Sequence, residues 1–174
     1  GPRLIASLTE NGFLQFFDRE TGRVIYFDHV GTAASAFTGS GNEALVVVKE
    51  PNRDQAAMVD IVTGEYITDL PAAIEDVSKS LVSLDQTRAL LVGAARPVRT
   101  LTGRTTAFAA QLSLVDLVTR QTLVQSEIVL TNEAIAESQG RRSDGEVRDW
   151  MNEASFSPDA AAALLVADSG GLYL

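Results

Sequence analysis

Short apolar bursts such as "RLIASL", "FLQFF", "RVIYF", "NEALVVV" and "TRALLVG" punctuate this chain, separated by clusters of polar turn residues. "QLSLVD" alternates apolar and polar positions, and "VIYF" does so more weakly. Bursts of this length between turn residues predict β-strands buried on one or both faces.

The bursts recur in a fixed relation to aspartate. "FFDRETGRVIYF", "MVDIVTGEYI" and "LVDLVTRQTL" each run from an apolar segment through Asp-x-x-Thr into another apolar segment. Asp60 follows Asp18 by 42 residues, and Asp116 follows Asp60 by 56. The Asp and Thr side chains can accept hydrogen bonds from nearby backbone N–H groups, and Gly22 or Gly64 tolerates positive φ, so each motif predicts a tight turn between strands. Arg120 stands where the third copy should carry glycine. That turn must change type or carry a steric cost.

A second element precedes each unit: "SAFTGSGNEALVV", "SLVSLDQTRALLV" and "ASFSPDAAAALLV" pass from a small strand through a polar turn into an apolar strand. "SFSPD" resembles the inner strand and turn of WD-repeat and related β-propellers, and "FFD", "MVD" and "LVD" occupy the place of that family's Trp-Asp dipeptide. No Trp-Asp is present, and the family's Gly-His survives only as "FDHVG". A period of about 40 to 45 residues is that of a four-stranded propeller blade. The resemblance implies an all-β fold, a divergent WD-repeat-like β-propeller segment of about three and a half antiparallel blades. The alternative is an antiparallel sandwich that reuses the same hairpin turn.

On this reading Gly1-Pro2 is the scar of a cleaved tag and residues 3–30 form a blade that lacks its inner strand. Blades follow at 32–71 and 77–130, and a partial blade at 154–174 stops within a strand. Open strand edges then predict completion by a further chain or segment. Two insertions interrupt the order: residues 94–108 inside the third unit, and 131–153, where "EAIAESQ" predicts a short helix capped by Thr131 or Asn132 and ended by Gly140.

With 45% apolar and 21% charged residues, the composition is that of a packed, soluble domain. A net charge of −9 disfavours nucleic-acid phosphates as partners, and no apolar run reaches the length of a membrane span. No signal peptide is visible, and an intracellular location is the expectation. Cysteine is absent, and His29 is the single histidine. Disulfides, thiolate metal sites and any site needing two histidines are therefore excluded. "TGSGNE" at 38–43 reads as a turn between strands rather than a phosphate loop, and nothing in the spacing selects Glu75 and Asp76 as a catalytic pair. No cofactor, metal or catalytic residue is assigned.

What remains is local charge. From Gln86 to Val115 there is no Asp or Glu, yet Arg88, Arg96, Arg99 and Arg104 fall there. Arg96, Arg99 and Arg104 are candidates for docking an acidic or phosphorylated segment, against the plainer reading of a solvated hairpin tip. Arg141, Arg142 and Trp150 in the second insertion are further partner-binding candidates, against the plainer reading for Trp150 of packing beneath its own loop. The resemblance implies a non-enzymatic platform on which protein partners dock at loops. A ligand-sensing or hydrolytic propeller with a site at the central channel, and a purely structural segment of a large assembly, are the alternatives.

Overall fold

A computed structural model describes residues 4–8, 14–18, 20–27, 36–37, 43–49, 54–60, 63, 65–70, 74, 76–130, 150–167 and 172–173. Among these residues there is no helix, and every paired strand is antiparallel to its neighbour. The expected helix in the second insertion lies outside the described residues.

Four sheets follow one another along the chain. The first holds β1 (Leu4–Leu8), β2 (Leu14–Asp18) and β3 (Val24–Phe27) in sequence order. The second holds β4 (Ala36–Phe37), β5 (Glu43–Lys49), β6 (Asp54–Asp60) and β7 (Tyr66–Asp69), again in order. The third is built from β8 (Val77–Val82), β9 (Arg88–Gly93), β10 (Arg96–Arg99), β11 (Thr105–Asp116) and β12 (Gln121–Leu130). The fourth holds β13 (Met151–Phe156), β14 (Ala163–Ala167) and β15 (Leu172–Tyr173). β13 thus begins inside the stretch that the sequence pattern assigns to the second insertion.

Both recurring turns form by the mechanism their residues dictate. Asp18 Oδ1 accepts from the N–H groups of Glu20 at 2.9 Å and Thr21 at 3.0 Å, and Thr21 Oγ1 accepts from Arg23 N at 3.3 Å. Asp60 Oδ1 accepts from Thr63 N at 2.9 Å, and Asp116 Oδ1 accepts from Val118 N and Thr119 N at 2.9 and 2.7 Å. The chain leaves each turn five residues after its aspartate: Asp18 N donates to Arg23 O, Asp60 N donates to Glu65 O, and Asp116 pairs with Gln121. The Ser-x-Asp turns are equally alike. Ser83 Oγ donates to Asp85 Oδ1 and Ser157 Oγ to Asp159 Oδ1, both at 2.6 Å, and each hydroxyl accepts from the N–H five residues on. Gln86 and Ala160, one residue past the aspartate, take φ of 59° and 56°.

The second, third and fourth sheets pack face to face, and β9 lies at the centre. Its residues alternate between two apolar interfaces, as the period-2 geometry of a strand requires. Ala89 and Leu91 join Leu45, Val47, Met58, Val77 and Val115 between the second and third sheets. Leu90 and Val92 join Phe108, Leu130, Trp150, Met151 and Leu165 between the third and fourth. A strand buried on both faces reads as a continuous apolar run, which is what "RALLVG" is. Burying one such Leu or Val contributes about 1.5–3 kcal/mol.

The stretch at 94–108 proves to be the far end of one long hairpin. β9 and β10 lie in line along the same edge of β11: Val92 pairs with Leu112, and Arg96 with Ala109. Three residues, 93–95, therefore face only 110 and 111, which is a bulge. Its composition is Gly-Ala-Ala, and a Cβ on Gly93 would come within 3.2 Å of Ile74 Cγ2 and 3.3 Å of Gln111 O. The bulge also shifts the parity of the strand, so that Ala95 continues the face of Leu90 and Val92.

Candidate interaction surface

The tip of the β10–β11 hairpin is exposed, and its backbone is closely braced. Thr100 N donates to Arg104 O at 2.9 Å and Gly103 N to Thr100 O at 2.9 Å, with Gly103 at φ 81°. Thr100 Oγ1 accepts from Arg104 N at 3.2 Å and lies 2.8 Å from Thr102 Oγ1, while Thr106 Oγ1 donates to Val98 O at 3.2 Å. This scaffold holds Leu101 wholly in solvent and leaves Val98 42% exposed.

Arg96, Arg99 and Arg104 are all exposed, but the structure does not gather them on one face. Arg96 shares a face of β10 with Val98, Arg99 shares the opposite face with Pro97, and Arg104 leaves the turn. Strand alternation separates what sequence proximity grouped. Arg99 and Arg104 flank Leu101 at the tip. Arg141 and Arg142 lie outside the described residues. Trp150 is in the core: it is fully buried between the third and fourth sheets, and its indole Nε1–H donates to Gly93 O at 3.1 Å. Its apolar surface is spent within this fold.

The other end of the third sheet carries a different surface. Arg88 pairs with Asp116 and Leu117 N donates to Thr87 O at 2.8 Å, so the β8–β9 and β11–β12 turns stand side by side. Each lifts an apolar side chain into solvent, Leu84 and Val118. Sequence reading missed both, because a single apolar residue inside a polar turn has no periodic signal. Asp85, Asp116 and Asp159 are held below the usual carboxylate range. The largest cause is the Ser83 hydroxyl for Asp85, the Thr119 backbone N–H for Asp116 and the Ser157 hydroxyl for Asp159.

Along its outer side the third sheet ends in β12, which leaves Leu123, Val124 and Val129 exposed. Between β12 and the β13–β14 hairpin runs an apolar groove of about 200 Å³, lined by Leu112, Val124, Ile128, Phe156, Ala163 and Leu165 among others. Among the described residues no group of His, Cys, Asp and Glu is arranged to hold a metal ion, and no helix is long and apolar enough to cross a membrane. Glu75 lies outside the described residues, and Asp76 is buried.

No family model and no curated protein matches the sequence. Solved structures do match its fold. The Dos1 propeller aligns with a TM-score of 0.54 at 12% identity, covering 92% of this chain and 41% of that one. Hydrazine synthase of Kuenenia stuttgartiensis aligns at 0.51 and 12% identity, over 93% of this chain and 42% of that one. An acylaminoacyl peptidase of Pyrococcus horikoshii aligns at 0.50 and 12% identity, over 74% and 23%. The chain thus spans less than half the length of each of these three structures. Antiparallel sheets stacked face to face, repeated turn chemistry and these alignments together make the fold that of a β-propeller segment.

Proposed function

We propose that this propeller segment is a protein-docking module that engages a partner through the tip of the β10–β11 hairpin. One observation carries the reading: a hydrogen-bonded tip holds Leu101 fully in solvent, with the exposed residues Arg99 and Arg104 close on either side along the chain. A rigid tip loses little conformational entropy on binding, and an apolar anchor flanked by arginine is the composition that concentrates binding energy at interfaces. Arginine's planar fork selects a carboxylate- or phosphate-bearing segment as the partner.

The test is affinity capture on the immobilised chain, comparing wild type with the combined Arg99→Ala, Leu101→Asp and Arg104→Ala variant. Retained partners should fall by about tenfold or more, with the thermal unfolding midpoint unchanged. Undiminished capture would exclude the tip.

A second reading draws on the alignment with a peptidase. The segment would then form part of a propeller that serves an enzyme, as a substrate-facing wall. Hydrolytic activity in a polypeptide containing this segment, lost when the segment is deleted while the remainder stays folded, would favour it over docking.

A further inference from the structure

β7 and β12 are corresponding outer strands, yet β7 has 4 residues and β12 has 10. Among the described residues β12 pairs only with β11, and the outer edge of its residues 123–129 presents a row of backbone donors and acceptors. Proteins blunt such edges with lysine, proline or shortness. β12, "QTLVQSEIVL", has neither lysine nor proline, and its one irregularity is the bulge near Leu123, where Leu114 pairs with Val124 but Val115 with Thr122.

We propose that this edge pairs with the same edge of a second copy of the chain, antiparallel, about a two-fold axis through Ser126. The side-chain pattern selects both the partner and the register. Opposed residues of an antiparallel pair turn the same kind of backbone edge towards each other, so the axis must pass through a residue rather than between two. Centred on Ser126, Val124 meets Ile128 and Gln125 meets Glu127, and the bulged Leu123 comes beside Val129. The polarity of the segment reads the same in both directions, apolar-apolar-polar-polar-polar-apolar-apolar. Centred on Glu127 instead, the two carboxylates would face each other. Centred on Gln125, Leu123 would oppose Glu127. Only the Ser126 register matches apolar with apolar on both flanks and gives each glutamate an amide neighbour.

The contact joins the third sheets of two copies into one continuous sheet and covers Val124 and Val129, which are 55% and 61% exposed in the single chain. Its seven-residue core is smaller than the interface of about 1,200 Å² or more that supports tight binding, so the dimer is concentration-dependent. It uses neither Arg99, Leu101 nor Arg104, and stands or falls separately from hairpin docking.

Sedimentation equilibrium over a concentration series up to about 0.5 mM, the affinity range of weak pairs, reads the mass directly. Wild type should move from 18.6 kDa towards twice that value. Ser126→Lys and Ser126→Glu should each stay monomeric, because each places like charges across the axis, and an equimolar mixture should dimerise again. Since the chain has no cysteine, Ser126→Cys should form a disulfide-linked dimer under mild oxidation, whereas Gln121→Cys, remote from the axis, should not. A wild type that stays at 18.6 kDa throughout, single-charge variants that dimerise as wild type does, or equal cross-linking at both cysteine positions would overturn the proposal.

Discussion

β9 serves two interfaces that are secured in different ways. Towards the second sheet its neighbours are aliphatic, and the polar tie between sheets is the ion pair of Arg120 Nη2 with Glu43 Oε1 at 3.0 Å, at a half-buried margin. Towards the fourth sheet the interface is aromatic at its centre and crossed by side chains that donate to backbone carbonyls. Trp150 reaches Gly93 O, Lys79 Nζ reaches Met151 O, and Arg88 Nη1 reaches Ala160 O at 2.7 Å. Apolar contact is non-directional and tolerates sliding, whereas a hydrogen bond to a fixed carbonyl sets register. The first interface therefore supplies cohesion, and the second supplies alignment as well.

The sharpest way to break that contrast is at Trp150. Trp150→Ala removes the largest fully buried side chain and strands the Gly93 carbonyl, and should cost about 3–5 kcal/mol in urea unfolding. Trp150→Phe keeps most of the volume and loses the donor, so it should cost about 1–3 kcal/mol. As the sole tryptophan, Trp150 also gives a fluorescence signal specific to this interface. A cost below about 1 kcal/mol for the alanine variant would mean that the interface is not aligned as described.

How much of this was legible in the sequence follows from distance along the chain. The Asp-x-x-Thr and Ser-x-Asp turns close within five residues, so their donors and acceptors could be read directly, and the strands they join followed. Trp150 bonds a carbonyl 57 residues away, a relation no local pattern encodes. It precedes β13 by one residue and follows a charged run, and so looked like part of a loop. The stretch at 94–108 reads as an insertion because its Arg, Pro and Thr residues mask a strand that packs on one face only, through Ala95, Phe108 and Ala110. The arginines group in the sequence for the same reason: sequence gives proximity, and only the strand's alternation assigns faces.

Ser113 sharpens the comparison from the other side. It is fully buried on the face of β11 that meets the second sheet, and among the described residues its hydroxyl has no hydrogen-bond partner. An orphan hydroxyl in an aliphatic interface is destabilising, so Ser113→Ala should raise stability by about 1–2 kcal/mol, measured by chemical denaturation. The equivalent change in the other interface, removing a satisfied donor such as the indole, runs in the opposite direction. A loss of stability would show that the hydroxyl is bonded.

Acid should loosen both interfaces together, through the turns that flank them. Asp159 shapes the turn whose Ala160 carbonyl receives Arg88, Asp85 shapes the turn leading into Arg88, and Asp116 shapes the turn that presents Arg120. All three carboxyls have pKa values below those of an unfolded chain. The unfolded chain therefore binds protons first as pH falls. The stabilisation is complete above the ordinary carboxylate pKa of about 3.9 and is lost as pH drops through the lower folded values. The thermal midpoint should hold steady down to about pH 5 and then fall. Asp85→Asn and Asp159→Asn together should flatten that fall, and an unchanged slope would exclude these turns as its source.

The smallest effect is expected at Arg120, where the loosely tied interface meets a strained residue. Arg120 takes φ 58°, close to the 67° of Gly22 in the first copy of the turn, and so carries the steric cost that glycine avoids. The turn type is unchanged because the Asp116 carboxylate, rather than the residue at this position, organises it. Arg120→Gly relieves strain of about 1 kcal/mol. It also forfeits an ion pair worth about 0–1 kcal/mol and frees the unfolded chain by about 0.4–1 kcal/mol. The net change should lie within about 1 kcal/mol of zero. The cycle with Glu43→Gln separates the parts, because in that background the ion pair is already gone and Arg120→Gly should become more favourable by its worth. A coupling of zero would reduce this polar link between the second and third sheets to a surface contact, leaving aliphatic packing to hold the first interface.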